Sequence, residues 1–208
     1  MRVLVAGGTG LVGNAVLITA ARQNIHTIAV GRRPSQHATE EIVADFDALP
    51  PLPQADAAIC ALGTTIKQAG SKAAFKAVDY SAVMAFAAAA QEAGVNHFIV
   101  VTAVGSNPDS SVFYSSVKGA VEQDLDAMSF ARLDIVQPGL LLGPRAEKRP
   151  VEELLQTMSP VMDLFMRGPW KRYRSVKAEE LGEVLIRLSQ EQAPGVFRHT
   201  KADWTRRQ

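Results

Sequence analysis

Tyr114 and Lys118 stand four residues apart in the stretch Tyr114-Ser115-Ser116-Val117-Lys118. That spacing puts a phenol and an ammonium on one face of a helix, one turn apart. With an ordinary pKa of about 10, a phenol holds its proton too tightly to exchange it readily at neutral pH. An ammonium ~4 Å away at an effective dielectric of ~20 favours the phenolate by roughly 4 kcal/mol, which moves the phenol toward ~7. The pair therefore predicts an acid/base tyrosine tuned by a lysine. On a helix surface the spacing alone is commonplace, so its meaning depends on what surrounds it.

A second feature supplies that setting. The apolar stretch Val3–Ala6 reads as a strand that runs into Gly7, Gly10 and Gly13, and a helix-compatible segment follows. A glycine-rich turn between a strand and a helix lets backbone N–H groups approach a phosphate, and the helix N-terminus adds partial positive charge. Gly7 would take the tight turn, Gly10 would clear a pyrophosphate, and Gly13 would let the helix pack onto the strand. The spacing G-x-x-G-x-x-G is one residue longer than the usual dinucleotide fingerprint, and its place between strand and helix predicts dinucleotide binding.

The elements that must position these groups alternate along the chain. Strands are expected at His26–Val30, Glu41–Phe46, Asp56–Leu62, His97–Thr102 and Ala131–Gln137. Helices are expected over 71–93, ended by Gly94, and over about 112–128. Such alternation predicts an α/β fold, a single-domain doubly wound parallel sheet covered on both faces. Beyond about residue 139 the pattern loosens. A helix over 151–166 broken near Pro160, a short strand over 174–176, a helix over 178–190 and an edge strand Gly195–His199 are expected. This small C-terminal segment, 139–208, is expected to supply a substrate wall within a domain spanning 1–208.

At the end of the second strand stand Gly31-Arg32-Arg33, with no carboxylate. A carboxylate there would hold ribose hydroxyls; two guanidinium groups instead suit a ribose 2′-phosphate. NADP(H) is therefore expected over NAD(H). Asp45 and Phe46 would wall the adenine, and Ala61, Leu62 and Gly63 the ribose side.

The remaining composition bounds the partners. A net charge of +1 over 208 residues gives no reason to expect nucleic acid or an anionic membrane. The longest apolar run reads as too short and too interrupted to span a bilayer, and the first strand starts too early for a secretory leader. The lone Cys60 excludes an internal disulfide, reads as a buried strand residue and fits a reducing cytoplasm. His26, His37, His97 and His199 lack metal-ligand spacing, so no metal is expected. The methionine-rich stretch 151–166 would pack on the core or on a twin subunit, making a homodimer, or form a lid over an apolar small-molecule substrate. Arg145, Lys148 and Arg149 just before it read as a solvated loop or as a clamp for a substrate anion.

Taken together, the chain resembles the short-chain dehydrogenase/reductase superfamily over nearly its whole length, and within it the compact atypical group of Tat-interacting-protein-like NAD(P)-binding oxidoreductases. The resemblance rests on Gly7-Gly8-Thr9-Gly10-Leu11-Val12-Gly13, Leu62-Gly63-Thr64-Thr65, Val78-Asp79-Tyr80, His97-Phe98, Tyr114 with Lys118-Gly119, and Pro138-Gly139-Leu140-Leu141. It implies a Rossmann-type domain, an NADP(H) cofactor and hydride transfer at a carbonyl carbon. It also implies cofactor contacts from Thr9, Leu11, Val12, Thr64, Pro138 and Gly139, and from Lys118 to the nicotinamide ribose. A strand-five hydroxyl should polarise the substrate oxygen, but the usual serine falls at Thr102-Ala103, leaving Thr102 and, further along the loop, Ser106. The usual Asn-Asn-Ala-Gly after strand four is replaced by Cys60-Ala61-Leu62-Gly63. The expected function is an NADP(H)-dependent oxidoreductase with Tyr114 as acid/base. The alternative is an NADP(H)-binding regulatory or interaction protein with little or no turnover. The short region after strand six leaves little room for the substrate domain of a nucleotide-sugar epimerase.

Overall fold

The computed structural model describes residues 1–142 and 174–204. Seven strands form one parallel sheet: β1 (Arg2–Ala6), β2 (His26–Gly31), β3 (Glu40–Val43), β4 (Ala57–Cys60), β5 (His97–Val101), β6 (Arg132–Gln137) and β9 (Gly195–Thr200), in the order β3-β2-β1-β4-β5-β6-β9. β7 (Leu141–Leu142) pairs in parallel with β8 (Val176–Lys177) as a separate ribbon. The helices are α1 (Leu11–Arg22), α2 (Ile66–Ala69), α3 (Lys72–Lys76), α4 (Ala82–Glu92), α5 (Phe113–Ala127), α6 (Ala178–Ser189) and α7 (Lys201–Trp204). From β1 the chain winds outward through β2 and β3, then returns to lay β4 on the other side of β1. The strand order therefore reverses between β1 and β4, and ligands of such sheets bind in the crevice outside the carboxyl ends there.

Alternation along each strand builds two cores. Leu4, Ile28, Phe98 and Leu133 meet Phe86, Val121 and Leu125 on one face. Val3, Val5, Ile59 and Ile99 meet Val16, Leu17, Leu181 and Leu185 on the other. Helix α1 lies against α6 so closely that a Cβ on Gly182 would stand 2.8 Å from the Ala15 backbone. Cys60 is fully buried, as its place in β4 requires, and burial pushes its thiol up to about 12.

Several boundaries differ from the sequence expectation. β3 ends at Val43 and β4 at Cys60, short of the expected Phe46 and Leu62. The helix expected over 71–93 carries a π turn, Ala77–Ser81, between α3 and α4. That whole segment, Lys72–Glu92, is long and apolar enough to cross a membrane, which corrects the reading of the apolar runs. It packs on the sheet instead, with Phe75, Val83, Phe86, Ala87 and Ala90 in the core. The expected helix over 151–166 and the cluster Arg145, Lys148 and Arg149 lie outside the described residues.

The edge strand β9 is fastened by a buried polar cluster. Asp134 on β6 accepts hydrogen bonds from Nε2 of His97 (2.7 Å) and of His199 (2.6 Å) and from Nε of Arg132 (2.6 Å). These bonds outweigh burial, which raises a carboxyl pKa, and hold Asp134 well below the usual carboxylate range. With its folded pKa depressed, Asp134 contributes stability above its unfolded pKa of about 4, and that contribution is lost as the pH falls toward the folded value. In urea unfolding, Asp134→Asn should therefore be clearly less stable than wild type at pH 7, with a gap that narrows below about pH 4. A gap that stays constant down to pH 3 would contradict this linkage.

Candidate functional site

The crevice begins where β1 meets its glycine turn. Gly7 has φ +87°, a left-handed conformation, and a Cβ there would lie 2.7 Å from the Ala61 carbonyl oxygen. The Gly10 N–H donates to the Gly7 carbonyl at 2.9 Å and closes the turn. A Cβ on Gly13 would stand 2.1 Å from that same carbonyl, so α1 can start here only if residue 13 is glycine. Gly10 stands before α1 with no capping side chain, and the first helical turn carries no acidic residue. The N–H groups of Leu11, Val12 and Gly13 therefore precede the first intrahelical bonds and face an uncapped helix start. Backbone of this kind fits the pyrophosphate of a dinucleotide.

Beside the turn opens a cleft lined by Gly7, Thr9, Arg32, Arg33, Phe46 and Leu62 among others. Phe46 packs edge-on against Phe86, which fixes that wall. Arg32 and Arg33 are exposed and make no ion pair among the described residues. Asp45 is exposed and is not among the cleft walls.

From Ala61 the loop Leu62-Gly63-Thr64 carries the crevice toward α5. Lys118 Nζ lies 2.8 Å from Asp79 Oδ1, with both side chains almost wholly buried. The Thr64 N–H donates to the other Asp79 oxygen at 2.8 Å, and a Cβ on Gly63 would stand 3.4 Å from Oδ1. Asp79 sits in the π turn, a helix irregularity often found at functional sites. Burial raises its carboxyl pKa, opposed by Lys118 and by the Thr64 N–H.

Tyr114 occupies the first turn of α5, against Phe75, with ring centroids 5.7 Å apart. Its phenol is not lowered. Desolvation raises it, Lys118 lowers it and Asp79 raises it again, leaving the pKa above the ordinary value. The expectation of a phenol near 7 took Lys118 as an uncompensated charge, whereas its ammonium is committed to Asp79.

The expected substrate-polarising hydroxyl is also redirected. Thr102 is buried, and its hydroxyl donates to Glu122 Oε1 at 2.6 Å. The amide of Gln137 donates to both Glu122 oxygens, at 2.9 and 3.0 Å. The proton of Thr102 is thus spent on a carboxylate inside the fold, which corrects its assignment to the substrate oxygen. Ser106 donates to the Ala103 carbonyl at 2.7 Å within a half-buried turn. Pro138 accepts from the Val104 N–H at 3.0 Å, so Pro138 and Gly139 lie beside the loop that follows β5.

Three carboxylates here were missed in the sequence. Glu122 follows Lys118 by four residues, as Lys118 follows Tyr114, and that repeated spacing was a usable signal. An acid inside an alanine-rich helix was the signal for Asp79. Glu41 had none: it reaches the loop after β2 from β3, and Ser35 donates to its Oε1 from both N–H (2.5 Å) and Oγ (2.9 Å).

Comparisons with known proteins agree with this architecture. The HIM1 family profile matches residues 25–167. The chain is 32% identical to Protein FMP52-2, mitochondrial, of Scheffersomyces stipitis over 203 residues, covering 91% of this chain and 87% of that one. It is 34% identical to Protein HTATIP2 of Rattus norvegicus over 164 residues, covering 73% and 67%. Human epimerase family protein SDR39U1, solved with NADPH, superposes with a TM-score of 0.68 at 21% identity, over 96% of this chain and 74% of that one. MoeE5, in complex with UDP-glucose and NAD, superposes with a TM-score of 0.71 at 16% identity, over 96% and 76%. These structural likenesses show a Rossmann-like fold of the NAD(P)-binding epimerase and short-chain dehydrogenase type. The expected cytoplasmic location is overturned by relatives that are mitochondrial by name. The inference from Cys60 failed because one cysteine cannot form an internal disulfide in any compartment.

Breaking a buried ion pair by removing one partner leaves an uncompensated charge and typically costs ~3–5 kcal/mol. Asp79→Ala and Lys118→Ala should each destabilise the protein by about that much. In urea unfolding the double variant should lose clearly less than the sum of the two. Additive losses would show that the two side chains do not depend on each other.

Proposed function

The chain belongs to the HIM1 family, as an atypical short-chain dehydrogenase/reductase similar to HTATIP2, and from that premise we propose that it is an NADP(H)-dependent oxidoreductase that reduces a carbonyl or related acceptor. The observation that carries this reading is a row of close contacts from the glycine turn to α5. The glycine turn abuts Ala61, and two residues on, Gly63 abuts the Asp79–Lys118 pair one helical turn from Tyr114. A dinucleotide laid on the turn would therefore run toward the tyrosine.

A bound nicotinamide supplies a hydride to the acceptor carbon. The chain's own groups bind and handle the proton. Uncapped N–H groups of α1 hold the pyrophosphate, and Arg32 and Arg33 favour a ribose 2′-phosphate over a bare ribose. Lys118, oriented by Asp79 and next to Gly63, would meet the ribose hydroxyls. Tyr114 carries its proton at neutral pH, and a developing alkoxide, a much stronger base than a phenolate, would take it. Ser106 is the hydroxyl left to steady the acceptor oxygen, once its bond to the Ala103 carbonyl opens.

A second reading, an NADP(H)-binding regulatory protein with little turnover, is favoured by one observation: the Thr102 hydroxyl is held by Glu122. Tyr114→Phe separates the two. Across a panel of carbonyl and quinone acceptors, wild type should oxidise NADPH. The phenylalanine variant should lose at least about a hundredfold in rate, the usual lower bound for an acid/base group, with NADPH affinity unchanged. Wild-type rates no higher than those of the variant on every acceptor would favour the regulatory reading.

A further inference from the structure

The loop that follows β2 carries a set of anion donors already occupied by a carboxylate. Arg32, Arg33 and Ser35 line the cleft beside the glycine turn. Ser35 packs directly over that turn: a Cβ on Gly8 would stand 3.3 Å from the Ser35 Cβ and 3.5 Å from its hydroxyl oxygen. Its N–H and its hydroxyl converge on a single acceptor, Glu41 Oε1, at 2.5 and 2.9 Å. Glu41 comes from β3, where the parallel register sets it beside Ala29, itself a cleft residue. Two convergent donors, in a cleft that two arginines also line, are what a phosphate oxygen seeks. In this structure a side-chain carboxylate takes that place.

We propose that Glu41 is a specificity-determining residue, an internal anion that competes with the ribose 2′-phosphate for the Ser35 donors. This rests on the NADP(H) reading above and deepens it. The carboxylate acts twice. It engages the N–H and O–H of Ser35, and it brings a negative charge to the place where another negative group must bind. A cofactor without the 2′-phosphate meets neither obstacle. Arg32 and Arg33 therefore pull toward NADP(H) while Glu41 pulls the other way, and the balance between them sets the preference.

The test uses binding, not turnover. Wild type, Glu41→Gln, Glu41→Ala and the double variant Arg32→Ala with Arg33→Ala are titrated calorimetrically with 2′,5′-ADP and with 5′-ADP at low salt. Two unit charges ~4 Å apart in water interact by enough to change affinity about fivefold. Both Glu41 variants should bind 2′,5′-ADP about fivefold or more tightly than wild type, and the gain should shrink in high salt. Their affinity for 5′-ADP should not change, which also shows that the variants are folded. Unchanged or weaker binding of 2′,5′-ADP would overturn the proposal, as would equal tightening of both ligands. The arginine variant reports separately on the NADP(H) reading. If it binds 2′,5′-ADP as well as wild type does, that reading fails, whatever the Glu41 variants show.

Discussion

The crevice depends on one buried ion pair, Asp79 with Lys118, at 2.8 Å. Two charges withdrawn from water are tolerated only where they meet each other and where further hydrogen bonds satisfy what remains. Here the π turn supplies the acid, α5 supplies the base and the loop after β4 supplies the Thr64 N–H. Three elements distant in sequence are thereby locked at the point where the strand order reverses. The pair also bears on Tyr114, whose pKa is raised first by desolvation. With its charge committed to Asp79, Lys118 lowers the phenol less than burial and Asp79 raise it.

The two ends of the sheet solve different problems. At the carboxyl end the backbone itself forms the binding surface: Gly7 and Gly13 give up side chains so that α1 can begin against β1 with its N–H groups uncapped. Among the described residues, the arginines of the β2 loop make no ion pair. Away from that crevice, His97, Arg132, Asp134 and His199 satisfy one another in the core and hold the last strand in place. Selectivity is open to tuning where donors are free or borrowed, as at Ser35, whereas Asp134 has every partner it can take.

Much of the fold was legible in the sequence because it rests on local patterns. The apolar run before Gly7, the glycine spacing and the strand–helix alternation each act within a few residues, and the observed sheet follows them. The candidate site was legible only in part. Tyr114 and Lys118 are set by helical spacing, but what surrounds them is not. Asp79 needed the π turn, Glu41 needed the register of β3 on β2, and the carboxylate facing Thr102 needed α5 packed over two strand ends. His97 and His199 read as unconnected because 37 and 65 residues separate them from the aspartate they share. Electrostatics failed first: a two-body estimate for Tyr114 and Lys118 leaves out the cost of withdrawing the phenolate from water, which outweighs the pull of the lysine.

The central claim is that desolvation, aided by Asp79, outweighs the pull of Lys118 and leaves Tyr114 protonated at neutral pH. The most direct measurement is the ionisation of Tyr114 by NMR titration of protein carrying ring-labelled tyrosine, with the signal assigned through Tyr114→Phe. The account predicts a resonance that stays in its phenol position through pH 9, with ionisation above the ordinary value of about 10. A midpoint near 7 would contradict it, because it would mean that the charge of Lys118 outweighs desolvation and Asp79 together.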